Sequence, residues 1–300
     1  MRQSIMAAMM LCAVPTFATE TEPDAGRICH LAVPTDGDLK AVAARYFPAA
    51  GASDIDRLLA CFDETDPAVR DELALALWTE GSRGQHIKPD AMRYALVRLS
   101  AILAAPDDPA GFRKPFAALA LAEVARADRV APFLTETELH ELAVTGAAYL
   151  RGITDYRGFG GGEGWRHGVA HGADLLMQLS LNPRLTRSDA DLMLAAIASQ
   201  VVPGRSHSYV YGEARRLARP ALFLARRTDI DDAAWAAWFQ ALHPNGTPRW
   251  QTPYASAEGL AAVHNSTAFG DAVYVAASES QDPQVRRLAP FAAGLLKALP

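Results

Sequence analysis

The feature that most constrains this fold is a series of apolar segments with helical spacing that continues through most of the chain. Segments of about 12–18 residues are separated by breaks rich in Pro, Gly, Asp and Ser. Alternating runs of β-branched residues, which are typical of strands, are almost absent. The pattern predicts an all-α chain with helices near residues 37–47, 53–63, 67–80, 89–105, 111–127, 136–152, 164–180, 187–201, 209–227, 231–242, 256–278 and 282–298.

Composition supports a sizeable core, since half of the 300 residues are hydrophobic and 21% are charged. No linker or charge run divides the chain, so we expect residues 37–300 to form a single domain. The short connections between the predicted helices favour stacked antiparallel helix pairs.

Two segments of the chain begin alike, DPAVRDELALALWTE at Asp66 and DPQVRRLAPFAAGLLKA at Asp282. In both, Asp suits the N-cap and Pro suits the first helical position. The pattern is similar to the second helix of HEAT repeats, in which helix pairs stack into a curved superhelix. We therefore predict a HEAT-like α–α superhelix. The alternative is two unrelated helices that share a common type of start.

The first residues, MRQSIMAAMMLCAVPTFATETEPD, have the pattern of a secretory signal, with a basic start and an apolar run. Thr16 and Ala18 stand at the cleavage positions. We predict a signal peptide at 1–18, an N-terminal arm at 19–36 and a protein that is periplasmic or secreted. No transmembrane segment is expected after signal removal. The alternatives are a lipoprotein acylated at Cys12 and an apolar N-terminal helix of a cytosolic protein.

Two cysteines follow the predicted signal, Cys29 and Cys61. Two cysteines in an exported chain favour one disulfide between them. The alternative is two unpaired small hydrophobic residues, because Cys61 lies in the apolar stripe of DRLLACFD.

Several function classes lack their sequence signatures. The net charge is −5 and no long run of Lys and Arg occurs, so nucleic acid is not an expected partner. No GxSxG elbow and no GxxxxGK[ST] phosphate loop is present. GFGGGEG is glycine-rich, but no predicted strand precedes it, which argues against dinucleotide binding.

The segment DYRGFGGGEGWRHGVAHGADLLMQL concentrates the polar residues of the middle of the chain. The three glycines 160–162 predict a flexible loop before a helix. On that helix His167, His171 and Asp174 fall on one stripe, and most other positions are apolar or Gly. Gly168 and Gly172 are four residues apart and would allow a neighbouring helix to approach closely.

Three interpretations of this stripe are open. In the first, His167, His171 and Asp174 hold a divalent metal such as zinc, and Glu163 or Glu213 supplies a catalytic base. The HExxH protease signature is absent, because Gly stands where its glutamate would be.

In the second interpretation, the stripe faces inward and is satisfied by one of Arg157, Glu213, Arg215 or Arg216. In the third, it is an ordinary solvent-exposed face.

Two further polar clusters lie downstream, in HSYVYGEARRLARP and AAVHNSTAFGDAVY. Glu213 and Arg216 are spaced as an i,i+3 ion pair on one helix, which an exposed face would also explain. In the second cluster His264 and Asn265 are candidate site residues, although a lone histidine is more often an ordinary helix residue.

Five motifs occur in an order that resembles the DUF2785 family, bacterial proteins of unknown function. They are FRKPFAALALAEVARADRVAPFL, D-x-RG-F, GWRHGVAHGADLL, GEARRLA and HNSTAF-x-x-AVY, and together they cover about residues 110–280. The resemblance implies a helical, HEAT-like fold and no established activity, substrate or cofactor. The family pattern falls on Asp155, Arg157, Gly158, Gly164, Trp165, His167, His171, Asp174, Glu213, Arg216, Leu217, Asn265 and Phe269.

The chain departs from the family pattern in two ways. Many members have an acidic residue just before the position of Asp155, where this chain has Ile153 and Thr154. An export signal is also unusual for the family, so the function of this chain can differ from that of other members.

Together these observations favour a binding or scaffold protein of the cell envelope, whose protein or small-molecule partner the sequence does not name. Solenoid folds commonly bind partners on their concave face. The candidate binding or network residues are Asp155, Arg157, Trp165, His167, His171, Asp174, Glu213, Arg216 and Asn265. The alternative is a metal-dependent hydrolase that uses the stripe of His167, His171 and Asp174.

Overall fold

The computed structural model describes Cys29 and residues 38–300. The predicted signal peptide and the predicted N-terminal arm, apart from Cys29, lie outside the described residues. Within the described part of the chain, no helix combines the length and the apolar character needed to cross a bilayer.

Helices make up most of the described chain, which confirms the predicted all-α fold. They are α1 (Leu39–Tyr46), α2 (Ala52–Ala60), α3 (Ala76–Arg83), α4 (Pro89–Ala104), α5 (Arg113–Val130), α6 (Glu136–Gly152), α7 (Gly168–Ser180), α8 (Arg187–Val201), α9 (Glu213–Leu224), α10 (Asp232–Leu242), α11 (Pro248–Gln251), α12 (Ala257–Glu279), α13 (Pro283–Arg286) and α14 (Ala289–Ala298). A 3₁₀ turn at Cys61–Asp63 follows α2, and a π-helical segment at Ala68–Leu75 runs directly into α3. Two short strands, β1 (Phe159–Gly160) and β2 (Gly164–Trp165), pair in antiparallel fashion.

The helices pack in two rows. One row contains α3, α5, α7, α9 and α12 in that order, and the other contains α2, α4, α6, α8 and α10. Successive helices α4–α5, α6–α7 and α8–α9 join the rows, and α14 closes the end against α10 and α12. The chain is thus built from stacked helix pairs, while the HEAT-like assignment stays a prediction.

Side-chain caps fix where several helices begin. At the start of α6, the Thr135 hydroxyl accepts the N–H of Glu138 and the Glu138 carboxylate accepts the N–H of Thr135. Thr186 and Asp189 form the same reciprocal pair at the start of α8. Such capping boxes satisfy backbone donors that a helix leaves free, so both predicted starts are accurate.

The two segments that begin with Asp-Pro, at Asp66 and at Asp282, have similar N-terminal caps. Their arginines, however, have different environments. Asp66 and Asp282 each accept a backbone N–H two residues ahead at 2.9 Å. Arg70, in the first segment, is fully buried, whereas Arg286 is exposed and donates to the Ser280 carbonyl.

The predicted helix at 282–298 is interrupted after Arg286, because α13 ends there and α14 begins at Ala289. Pro290 lacks the N–H that would bond to the carbonyl of Arg286 in a continuous helix. A proline at the second position of a new helix loses no such bond.

Helix α7 is buried along most of its length, between α5, α6 and α9. A Cβ on Gly172 would lie 3.2 Å from the side chains of Leu150 and Tyr149 on α6. The predicted close approach of a neighbouring helix at Gly172 is therefore confirmed, and that helix is α6.

The predicted disulfide between Cys29 and Cys61 is confirmed. Cys61 is also fully buried in the core, so the bridge ties residue 29 to the end of α2. The backbone N–H of Cys29 donates to the Glu64 carboxylate at 3.1 Å, which gives the same segment a second attachment.

Candidate binding site

A hairpin replaces the start of the helix predicted at 164–180. Phe159 pairs with Trp165 and Gly160 with Gly164, so the glycine run forms a tight turn and not a loose loop. Gly162 and Gly164 have φ angles of 86° and 77°, a conformation that glycine adopts without steric cost. These angles exclude a helix through the turn, and α7 begins only at Gly168.

His167 is the N-cap of α7 and has a left-handed backbone, with φ 57° and ψ 38°. This conformation is uncommon for a residue other than Gly. The imidazole stacks on the Trp165 ring, with ring centroids 4.3 Å apart and an interplanar angle of 9°. Burial lowers the pKa of His167 to about 4, so the ring is neutral near neutral pH.

His171 lies inside the molecule, where it packs edge-on against Phe116. Its Nδ1 lies 3.2 Å from the carbonyl oxygen of Pro115, so Nδ1 carries the proton and donates. Burial lowers the pKa of His171 to about 3, and the side chain is a neutral part of the core.

Asp174 is also buried and forms an ion pair with Arg216 of α9. Burial raises the pKa of Asp174, and the guanidinium opposes that effect. His171 and Asp174 therefore do not form a solvent-exposed face. Of the arginines proposed to satisfy the stripe, Arg216 reaches Asp174, while Arg157 pairs with Asp155 at 2.6 Å.

The three residues proposed as metal ligands do not fit a metal ion. Among the described residues, no three His, Cys, Asp or Glu side chains form a group that could hold one. The carboxylate of Asp174 forms an ion pair with Arg216, and Nδ1 of His171 donates a hydrogen bond to a backbone carbonyl. His167 is the N-cap of α7 and has a left-handed backbone, so its ring is not placed as that of a helical residue four positions before His171 would be.

Asn265 of α12 holds the backbone that precedes α9. Its Oδ1 accepts the N–H of Tyr209 at 2.8 Å, and its Nδ2 donates to the His207 carbonyl at 2.9 Å. The neighbouring His264 places Nε2 2.9 Å from the Tyr209 carbonyl.

Glu213 is buried at the start of α9, where its carboxylate accepts the N–H of Tyr211 at 2.8 Å. Backbone groups of Tyr209 and Tyr211 are thus bonded to side chains, and Gly212 has a φ of 88°. The helix predicted at 209–227 consequently begins four residues later. The predicted pair between Glu213 and Arg216 is not formed, because each has another partner.

Four large apolar side chains are exposed around the hairpin and the segment that precedes α9. Phe159, Trp165, Val210 and Tyr211 are 53%, 37%, 65% and 40% exposed. The Trp165 ring contacts both Phe159 and Tyr211, with centroids 5.0 and 5.4 Å away. Three of them line a shallow groove of about 580 Å³, here called the aromatic groove, and Trp165 stands beside it in contact with Phe159 and Tyr211. The lining residues are Tyr156, Arg157, Gly158, Phe159, Gly160, Arg166, His207, Val210 and Tyr211.

Two arginines that the sequence did not single out hold the hairpin in place. The fully buried Arg70 places its guanidinium 3.9 Å from the centre of the Phe112 ring and donates to the Glu163 carbonyl at 2.7 Å. Arg166 also lies over Phe112, at 4.2 Å, and donates to the Ala110 carbonyl at 2.6 Å. The only sequence signal for Arg70 was its place in the D-P segment.

These observations define an all-α protein in which two rows of helices support a short hairpin and an exposed aromatic groove. The sequence model of the family described as "Protein of unknown function (DUF2785)" matches residues 99–275, and the chain belongs to this family. No curated protein and no solved structure matches the chain.

Proposed function

We propose that this protein is a binding module and that its ligand surface is the aromatic groove, which takes an extended segment of a partner protein. The observation that carries the proposal is the exposure of Phe159, Trp165 and Tyr211, whose rings are in contact, together with Val210 in the same groove. Soluble monomers rarely expose contiguous apolar patches of this kind unless they bind something. If the chain is exported as predicted, the partner is a protein of the envelope or the exterior.

The composition of the groove suits a protein partner. Trp, Tyr and Arg are the residues that most often dominate the binding energy of protein interfaces. Trp165 and Tyr211 supply rigid rings that contact each other, and Arg157 and Arg166 are among the residues that line the groove. Aromatic anchors with charged groups around them are the usual arrangement of such an interface.

The buried polar residues give the groove a fixed shape before a ligand arrives. Asn265 and Glu213 bind the backbone of the segment that carries Tyr211, while Arg70 binds the hairpin that carries Trp165. A surface that is already ordered loses less conformational entropy on binding. Of the residues of the family pattern, Asn265 and Glu213 thus act as supports, Arg157 and Gly158 line the groove, and Trp165 is exposed beside it.

The metal-dependent hydrolase has no comparable support. Its proposed ligands His167, His171 and Asp174 do not fit a metal ion. The two carboxylates proposed as bases are also engaged, since Glu163 pairs with Arg166 and Glu213 accepts a backbone N–H.

The test is selection of binders from a random-peptide display library on the purified protein. We expect enriched peptides whose affinity falls about 30-fold in Trp165→Ala and in Tyr211→Ala, which is the effect of removing an interface residue worth about 2 kcal/mol. Tyr274→Ala is the matched control, because Tyr274 is equally exposed but lies on α12. Failure to enrich any peptide, or equal binding by all three variants, would overturn the proposal.

A further inference from the structure

A second concave site lies on the other side of the segment that links α6 to the hairpin. It is a half-enclosed cleft of about 330 Å³ between the C-terminal halves of α4 and α6, here called the α4–α6 cleft. Apolar side chains form most of its wall, namely Leu103, Ala104, Val144, Ala148 and Ile153. Its volume is at the lower end of the range for small-molecule sites.

Carboxylates predominate at the polar end of the cleft. Asp107, Asp108 and Asp155 line it, and Lys114 is the one ammonium among the described lining residues. Lys114 donates to Asp107 at 2.7 Å, so its charge is already matched.

The other two carboxylates have different partners. Asp155 forms an ion pair with Arg157, whereas Asp108 accepts hydrogen bonds from the backbone N–H groups of Gly111 and Arg113. Lys114 and Arg157 thus form ion pairs with two of the three carboxylates, and Asp108 has backbone donors as its partners.

A buried hydroxyl is added to this end by Tyr149, whose only hydrogen-bond partner in the described structure is the carbonyl oxygen of Gly168. The two oxygens are 3.5 Å apart, at the outer limit of a hydrogen bond. Burial raises the pKa of Tyr149 far above its usual value, so the hydroxyl keeps its proton. Its oxygen retains lone pairs that can accept an N–H from a ligand.

We propose that the α4–α6 cleft binds a small primary amine, with its apolar body between α4 and α6 and its ammonium group among Asp107, Asp155 and the Tyr149 hydroxyl. The walls remove the apolar body from water, which is the main favourable contribution to binding. The Tyr149 hydroxyl and the second carboxylate oxygen of Asp107 can each accept an N–H of a primary ammonium, while both oxygens of Asp155 already accept hydrogen bonds from Arg157. A carboxylate ligand would instead meet the carboxylate of Asp108, which has no ion-pair partner in the described structure, and a lysine that already has one.

The test compares three probes of nearly equal shape, 2-phenylethylammonium, 2-phenylethanol and phenylacetate, by titration calorimetry on the whole protein. We expect the amine to bind about tenfold more tightly than the alcohol, because a charge-assisted hydrogen bond is stronger than a neutral one. Phenylacetate should not bind. Equal affinities for the amine and the alcohol, tighter binding of phenylacetate, or no binding of the amine would each overturn the proposal.

Two variants locate the binding. Ala148→Trp fills the cleft from an exposed position on α6 and should abolish binding of the amine, while Ala195→Trp, at an exposed position on α8, is the matched control. Asp107→Asn removes one carboxylate and leaves Lys114 without its partner. This variant should therefore bind the amine more weakly and should also bind phenylacetate. Amine binding that survives both Ala148→Trp and Asp107→Asn would place the amine elsewhere and contradict the proposal.

Discussion

Individual polar side chains in the centre of this protein are held by partners, and burial determines how much each pairing matters. Asp174 shows this most clearly, because its carboxylate is buried and a single guanidinium, that of Arg216, balances it. Removing one member of a buried pair leaves the other charged and unpaired, which costs more than the pair itself contributes.

Arg216→Leu should therefore lower the free energy of unfolding by about 3 kcal/mol, the lower end of the range for buried pairs, because Arg216 itself is one-third exposed. Urea denaturation at neutral pH measures the change. The double variant Arg216→Leu/Asp174→Asn should recover part of the loss, since the orphaned charge is gone. An unchanged denaturation midpoint in the single variant would show that the pair does not form.

The pH dependence of stability should report the buried histidine His171. Its pKa is about 3 in the folded protein, against about 6.5 in an unfolded chain. Between these values the unfolded state binds more protons, so stability falls as the pH is lowered from about 6.5 toward 3.

His171→Gln removes this titration and should flatten the acid side of the stability profile by up to about 1.4 kcal/mol per pH unit. Denaturation midpoints at several pH values below 7 measure the slope. Above pH 7 the difference between the two proteins should be constant, because His171 is neutral in both states there. Parallel profiles below pH 6 would contradict the placement of His171 in the core.

Site residues could be predicted from the sequence only where they belong to a local sequence pattern. Trp165, His171, Asp174 and Asn265 lie in dense polar motifs and could be singled out in advance. Arg70 is about ninety residues from the hairpin that it binds, and its burial depends on Phe112 and Phe116 of a different segment. No local spacing carries that information.

At the scale of single elements, the helices predicted from apolar periodicity mostly end within a few residues of the observed bounds. Caps and proline starts explain this accuracy, because they are local signals. The prediction failed where side chains replaced helical backbone bonds, as at Tyr209 and Tyr211 before α9. It also failed at the hairpin, whose glycine φ angles cannot be derived from composition.

Gly158 tests the contact between the hairpin and the segment that precedes α9. A Cβ at this position would lie 2.0 Å from the Tyr211 ring, which would have to move. The ring is 40% exposed and can swing outward, so Gly158→Ala should change stability by less than about 1 kcal/mol.

The same variant should weaken the binding of selected peptides about tenfold, because Tyr211 would leave the groove. Gly161→Ala is the matched control in the same hairpin, since a Cβ there would meet nothing within 4 Å. Peptide affinity and melting temperature together measure the outcome. Wild-type affinity in Gly158→Ala would indicate that the position of Tyr211 does not matter for binding.

At the scale of the whole molecule, the disulfide joins residue 29 to the first helices of the stacked rows. It closes a span of 32 residues and should stabilise the fold by about 3–4 kcal/mol through the restricted unfolded chain. The double variant Cys29→Ala/Cys61→Ala should show this loss in chemical denaturation. Adding a reductant should shift the denaturation midpoint of the wild type toward that of the variant and leave the midpoint of the variant unchanged. If the reductant changes neither midpoint, the bridge does not stabilise the fold.

The order in which the helices stack determines which loops contact each other. This order could not be predicted from the sequence pattern. Helix α7 lies between α5 and α9, so the hairpin before α7 meets the segment before α9. That meeting brings Trp165 and Tyr211 together from positions 46 residues apart and creates the aromatic groove. The periodic pattern predicted helix pairs, but the partner of each pair depends on long-range packing.

The central claim is that the aromatic groove is the surface through which this protein binds a partner protein. Site-specific photo-crosslinking in the cells that make the protein tests it most directly, with a photoreactive phenylalanine at position 211 and, as control, at position 274. We expect a discrete adduct from position 211 that is absent from position 274 and is lost when Trp165→Ala is added. No adduct from position 211, or the same adducts from both positions, would contradict the account.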